Sequence, residues 1–288
     1  MSMVTGPGGT LKAPLGLPIT QSVISRKIVL ILIDGMRPDG LLQAEAPVLK
    51  GLMANGSYSL KAQSVLPSLT LPCINSLIRG VRPEMHGTLT NVFDSSRWEV
   101  PGLIDLLHEA GYKTASFTNW EQLRDLSRPG ALDLSLCINT AESHSLPPGE
   151  SDGILTSLAL LTLSHQPMDF IFLYLGCVDT VGHMQGWMSD EYIKAIENAD
   201  SCVGRFLSEL PDDTTVFISA DHGGLGNSHG SNSVEEMTIP LIIVSDDLAG
   251  GEISGPVSIL DIAPTIAACA GVTPPAAWEG KALFIKSV

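Results

Sequence analysis

No two of the five cysteines, Cys73, Cys137, Cys177, Cys202 and Cys269, form a Cys-x-x-Cys pair. That spacing signals no thiolate zinc knuckle, and an odd, scattered set signals no disulfide framework. Reduced thiols in a reducing compartment fit best, so a cytoplasmic location is the expectation. No run is long and apolar enough to span a bilayer. Residues 1–22 are rich in Gly, Pro and Thr and lack the continuous apolar stretch of a signal peptide. Charge is scarce and one-sided: 16 Lys and Arg face 31 Asp and Glu, for a net charge of -15. A nucleic-acid duplex or an anionic membrane surface is therefore not an expected partner. For a protein acting on anions that sign is a puzzle, which bound divalent cations would resolve by reversing the local field. Internal repeats, low-complexity tracts and linkers are also missing, so the reading is one domain.

What is present is a well-packed α/β chain: 288 residues, 44% hydrophobic, enough for a full core. Lys27 to Ile33 is apolar on both faces, as an interior parallel strand must be, and it ends in Asp34-Gly35. Met168 to Leu175 is a second such strand and runs into Gly176-Cys177-Val178-Asp179-Thr180-Val181-Gly182-His183. Val216 to Ser219 is a third, followed by Asp221-His222-Gly223-Gly224-Leu225-Gly226-Asn227-Ser228-His229-Gly230. Between them, helices are expected over Ala46–Asn55, closing at Gly56, and over a stretch with Thr70 at its start, Pro72 in its first turn and Gly80 at its end. Others are expected over Pro101–Ala110, Gly153–Ser164, Asp190–Leu210 with Asp200 solvated, and Asp261–Ala270 with Asp261 as N-cap. Strands are expected at Leu60–Val65, Lys113–Phe117 and Pro240–Val244. Residues 120–150 are polar, turn-rich and the least readable, with His144 read as a surface residue.

Each chemical signal has a bland explanation on its own. Asp34 is a plain turn aspartate, Thr70 an ordinary N-cap, Asp179 and His183 an N-cap with an incidental histidine, and His222 and His229 surface residues of a Gly-rich loop. His86 reads as a hydrogen-bonded structural residue, and Asn91 alone says nothing. Yet Asp34, Thr70, the Asp179/His183 pair and the Asp221/His222/His229 set all fall near the C-terminal edge of one parallel sheet, where open α/β sheets bind ligands. Six mixed Asp and His donors suit two divalent ions about 4 Å apart. A hydroxyl beside them would be activated as a nucleophile for transfer at phosphorus or, less often, sulfur.

The segments KIVLILIDGMRPDG, LPSLTLPCINSLIRGVRPEMHGTLTN, GCVDTVGH, ISADHGG and SHG, in that order, resemble the alkaline phosphatase superfamily, most closely its type I phosphodiesterase/nucleotide pyrophosphatase branch. The closing DIAPTIAACAGVTPPAAWEGKAL is similar as well, so the likeness runs from about Lys27 to Lys281. It implies a three-layer αβα sandwich with a mostly parallel central sheet. Residues 1–25 form an irregular arm, 26–288 the catalytic domain, and 120–150 the candidate for a small cap.

Carried over position by position, the resemblance implies that Asp34, Asp221 and His222 hold one zinc, with Thr70 bridging as nucleophile. Asp179, His183 and His229 hold the other. Asn91 takes the place of an asparagine that binds a non-bridging phosphoryl oxygen. Ser68 is a rival hydroxyl, but Thr70 matches the Thr-x-Pro position. The reaction implied is hydrolysis of a small phosphodiester or nucleotide-type ester through a phosphothreonine, then attack by a zinc-bound hydroxide, with retention at phosphorus. A monoesterase, a phosphonate hydrolase of the phosphonoacetate type, and a phosphotransferase or mutase are the alternatives on the same site. His229 follows His222 by only seven residues, so the long insertion of larger phosphodiesterases is absent.

Overall fold

A computed structural model describes residues 25–92, 100–138, 150–245 and 250–283. Eight strands are β1 Ile28–Ile33, β2 Ser57–Gln63, β3 Thr114–Thr118, β4 Leu134–Cys137, β5 Phe170–Leu175, β6 Thr215–Ser219, β7 Thr238–Val244 and β8 Gly251–Glu252. They form one sheet in the order β4-β3-β5-β1-β6-β7-β2-β8. β1 lies at its middle, parallel to β5 on one side and β6 on the other, with Leu32 opposite both Tyr174 and Ser219. Every residue of β1, β3, β5 and β6 is buried. A strand covered on both faces favours continuous apolar runs such as IVLILI, whereas the fully buried TASFT of β3 shows that small hydroxyl side chains are admitted too. β7 is antiparallel to β6 and β2, so the sheet is mixed although mostly parallel.

The helices are α1 Pro38–Gln43, α2 Pro47–Asn55, α3 Thr70–Arg79, α4 Pro83–His86, α5 Leu103–Glu109, α6 Glu150–His165, α7 Cys177–Gln185, α8 Asp190–Leu207, α9 Val234–Met237 and α10 Ile262–Cys269. α1, α2, α6 and α7 gather around α8, whereas α3, α5 and α10 pack on one another, giving a helical layer on each side of the sheet. α8 shows how the layer is built. Ser189 caps it by accepting the Tyr192 N–H, and Tyr192, Ile193, Ile196, Ala199, Val203 and Phe206 recur at helical spacing on its buried face. α3 ends at Gly80, whose φ of 59° is the left-handed stop that glycine provides.

Several expectations need adjusting. β2 starts three residues earlier than expected, because Ser57 and Ser59, small enough to be buried, continue the strand that Leu60 suggested. Thr70 is the first residue of α3, and Leu69 occupies the cap position without a side-chain bond. Asp200 is not solvated. It is 2% exposed and its carboxylate accepts the Val48 and Leu49 N–H groups at 3.3 and 2.7 Å, so it caps α2 from the neighbouring helix. Asp261 precedes α10, but its carboxylate takes the Ser258 and Lys281 N–H groups instead of those of the helix. Of residues 120–150, a short 3-10 turn and β4, the edge strand beside β3, are described. His144 lies outside the described residues.

Candidate metal centre

Asp34 stands at the C-terminal end of β1 and Asp221 just beyond β6, and both are buried. Asp34 Oδ2 accepts the hydroxyl of Tyr174 from the end of β5, while Oδ1 has no partner. Asp221 Oδ1 accepts the Gly35 N–H at 3.2 Å, and Oδ2 has none. His222, fully buried, brings Nε2 to 3.3 Å from both Asp34 Oδ1 and Asp221 Oδ2. The two carboxylate oxygens without a hydrogen-bond partner thus converge on one imidazole nitrogen, and the three residues form a candidate ligand group.

A second group lies alongside. Asp179, in the first turn of α7, and His183, one turn on, project from the same helix face. His229 arrives from the loop after β6, which turns back on a Leu225–Ser228 bridge. Its Nε2 is 3.0 Å from that of His183, and each of these nitrogens is 3.5 Å from an Asp179 oxygen. The His222 and His229 rings stack at 3.8 Å between centroids, so the two groups share a wall. Gly35 allows the close approach. A Cβ there would meet Asp179 at 3.1 Å, and its φ is +68°.

The histidine tautomers follow from their partners. Nδ1 of His222, His183 and His229 faces the carbonyl oxygens of Gly223, Asn227 and Ser68 at 2.8, 2.9 and 2.7 Å. A carbonyl only accepts, so each Nδ1 carries a proton, which leaves Nε2 as the ring atom each histidine turns toward the centre, the arrangement of a metal-ligating histidine. Nε2 of His183 and Nε2 of His229 stand 3.0 Å apart, beside three buried carboxylate oxygens, of Asp34, Asp179 and Asp221, that lack a hydrogen-bond partner. Buried acceptors without donors are costly, and cations between them remove the cost. The donor set therefore fits two divalent ions.

Electrostatics agree. Burial, and then the charges of Asp179 and Asp221, push the Asp34 carboxyl well above the usual carboxylate range. Burial raises Asp179 as well, opposed by the neighbouring imidazoles. Burial, reinforced by His222, pushes His229 down to about 3, which keeps it neutral and able to ligate.

Thr70 completes the arrangement. Its Oγ1 is 3.1 Å from His222 Nε2, at the start of α3. Asn91 sits beside it, its Oδ1 accepting the Leu71 N–H at 2.9 Å. Ser68, the rival hydroxyl, faces elsewhere: it contacts the Ser231 carbonyl at 2.6 Å and the Glu236 carboxylate at 2.9 Å. His86 is structural, bonded to Ser76 Oγ and the Thr88 N–H.

The structure adds residues that the sequence reading passed over. Trp187 fills the space between Gly182 and Gly224, where a Cβ would come within 2.7 and 2.2 Å of its ring, and its edge meets His183. Its indole N–H holds the Gly35 carbonyl. Tyr174 and Glu236 are the others.

The family profile for type I phosphodiesterase / nucleotide pyrophosphatase matches residues 28–102 and 105–239. The chain belongs to this family. As a type I phosphodiesterase-family protein of the alkaline phosphatase superfamily, it is similar to the catalytic subunit of human GPI ethanolamine phosphate transferase 2, 25% identical over 280 residues, 90% of this chain and 28% of that one. It is also similar to the 2,3-bisphosphoglycerate-independent phosphoglycerate mutase of Clostridium kluyveri, 34% identical over 154 residues, 49% of this chain and 28% of the other. The chain thus spans less than a third of the length of these curated relatives. Among solved structures, human ectonucleotide pyrophosphatase / phosphodiesterase 5 superposes with a TM-score of 0.75 at 14% identity, covering 88% of this chain and 97% of that one. That likeness is one of fold. Among the described residues, no helix is long and apolar enough to cross a membrane.

Proposed function

We propose that this type I phosphodiesterase-family chain cleaves small phosphodiesters through a covalent phosphothreonine at Thr70. The observation that carries the reading is the Thr70 hydroxyl 3.1 Å from the nitrogen on which the partnerless Asp34 and Asp221 oxygens converge. Asp34, Asp221 and His222 would hold one divalent ion and Asp179, His183 and His229 the other, zinc suiting the mixed oxygen and nitrogen donors. When bound, the ions supply Lewis acidity toward the Thr70 oxygen and the phosphoryl oxygens.

The chain's own residues do the rest. In the first displacement the Thr70 Oγ–P bond forms as the P–O bond to the leaving alcohol breaks. The threonine proton passes to solvent and the leaving oxygen takes one up. Water then attacks the phosphothreonine, the P–Oγ bond breaks, and Thr70 regains its proton. The positive end of the α3 dipole lies under Thr70, and the Asn91 amide, its oxygen tied to the Leu71 N–H, is left with N–H donors for a phosphoryl oxygen.

A diester, with one negative charge, suits the site better than a doubly charged monoester. Residues 62–75, 83–91, 176–189 and 220–237 contain no Lys or Arg. Arg37, close by in sequence to Asp34, is engaged by Asp39 and the Gly224 carbonyl. With zinc-loaded protein, bis(p-nitrophenyl) phosphate should turn over faster than p-nitrophenyl phosphate; the opposite ranking rejects the diesterase reading.

A second reading is favoured by the transferase relative that aligns with 90% of this chain: the second displacement uses an alcohol in place of water. Both readings share the phosphothreonine. Partitioning of the product between phosphate monoester and a new diester, as ethanolamine or glycerol is added, separates them.

A further inference from the structure

We infer that Glu236 is the positioning residue that ties the nucleophile's turn to the Asp179/His183/His229 group and so sets the affinity of that group for its metal. The inference rests on the two-ion reading of the site. Glu236 lies on the one-turn helix α9, six residues beyond Gly230, and is 5% exposed. A carboxylate so enclosed is costly unless it is fully hydrogen-bonded. Here it is. Oε2 accepts the Gly230 and Ser231 N–H groups at 2.7 and 2.5 Å and lies 2.9 Å from Ser68 Oγ, while Oε1 accepts the Ser231 hydroxyl at 2.8 Å. The Glu236 main-chain carbonyl accepts the Gly223 N–H at 2.7 Å.

These bonds join three segments. Gly230 follows His229, Gly223 follows His222, and Ser68 stands two residues before Thr70. The Ser68 carbonyl in turn accepts His229 Nδ1–H at 2.7 Å, and the Ser68 hydroxyl also accepts the Gly230 N–H at 3.0 Å. The His229 ring is thus held at Nδ1 by the carbonyl of a residue that Glu236 contacts, and its main chain is held one residue on, at Gly230. No contact runs from Glu236 to a ligand atom, so its influence must pass through His229 and Ser68. Partners that orient a ligand from outside typically govern about 10- to 100-fold of metal affinity.

The test is a zinc titration against a chromophoric chelator on the whole chain, for wild type and for Glu236→Gln, Glu236→Ala and Ser68→Ala. Wild type should take two equivalents. Glu236→Ala should keep the first unchanged and weaken the second about 10- to 100-fold. Glu236→Gln, which keeps an amide oxygen as acceptor for the Gly230 and Ser231 N–H groups, and Ser68→Ala, which leaves the Glu236 bonds to Gly230 and Ser231 in place, should weaken it less. Excess zinc should restore turnover in Glu236→Gln, and Glu236→Ala should change nothing further in a His229→Ala background. Two equivalents bound with wild-type affinity by Glu236→Ala and Glu236→Gln, with only a lowered melting temperature, would overturn the positioning role. A wild type that binds fewer than two equivalents overturns the two-ion reading itself, and this inference with it.

Discussion

In the proposed mechanism the chemistry turns on Thr70, whose setting makes a sharp demand. The hydroxyl is buried, 4% exposed, at the first position of α3, and its nearest polar neighbour is His222 Nε2. Thr70→Ala should therefore lower kcat for an aryl phosphodiester by at least about 10²-fold, the scale of a positioned catalytic group, with zinc stoichiometry unchanged. Thr70→Ser, which keeps the oxygen, should retain turnover and give a labelled phosphoserine in a quenched reaction. An alanine variant with full turnover would end the covalent reading.

The proposed nucleophile and six candidate ligands were visible in the sequence because each lies at, or within one turn or loop of, the end of a strand or the start of a helix, and the resemblance then allotted their roles. Their supports were not. Tyr174 meets Asp34 across 140 residues and Glu236 meets Ser68 across 168, pairings that no local pattern announces. Tyr174 also hides within a strand whose other residues are purely apolar.

Elements differ in how openly they declare themselves. β1, β5 and β6 are covered on both faces, so their apolar runs were unambiguous. β4 is short and half-exposed at the sheet's edge, and its LSLC pattern lacks the strong alternation that marks a strand. Asp200 shows why a polar residue on a helix cannot be assigned to solvent by periodicity alone. It sits mid-helix in α8, yet it faces the first turn of α2, whose free N–H groups need an acceptor. Asp200→Ala should cost about 1–2 kcal/mol, the size of a lost cap with its donors left buried, read as a shift in urea midpoint with unchanged slope. No loss of stability would show that α2 does not depend on this bond.

Helix α7, which carries two of the candidate ligands, is anchored by another buried acid. Asp152 accepts Asn119 Nδ2 at 2.7 Å and faces the Cys177 N–H at the helix start. Burial pushes its carboxyl up to about 6, against the pull of the Asn119 bond. A folded value above the unfolded 3.8 means that protonation favours the fold. This group's contribution is complete below about pH 4 and lost as the pH rises to about 6, roughly 3 kcal/mol in all at about 1.4 kcal/mol per unit. Asp152→Asn removes that dependence. In chelator, the stability difference between variant and wild type should therefore grow in the variant's favour between about pH 4 and 6, then level off. A flat difference would mean that Asp152 does not titrate in this window.

For the molecule as a whole, the candidate metal centre is a liability without cations. Asp34, Asp179 and Asp221 gather at the carboxyl edge of the sheet with three oxygens lacking donors, in a chain of net charge -15. Their mutual repulsion and burial, which raise Asp34 and Asp179, weaken the metal-free fold as the pH rises above the unfolded carboxylate value, because protonation is then lost. Zinc reverses the sign: ligands must be deprotonated to bind it, so its stabilisation grows with pH. A free concentration 100 times the dissociation constant contributes about 2.7 kcal/mol per site. Asp34→Asn, nearly isosteric and neutral, separates the two effects. At neutral pH in chelator it should melt higher than wild type, and with zinc it should lose most of the rise that wild type shows. If the variant melted lower in both conditions, Asp34 would be a structural acid held by Tyr174, and the charge repulsion that calls for a cation at this edge of the sheet would not exist.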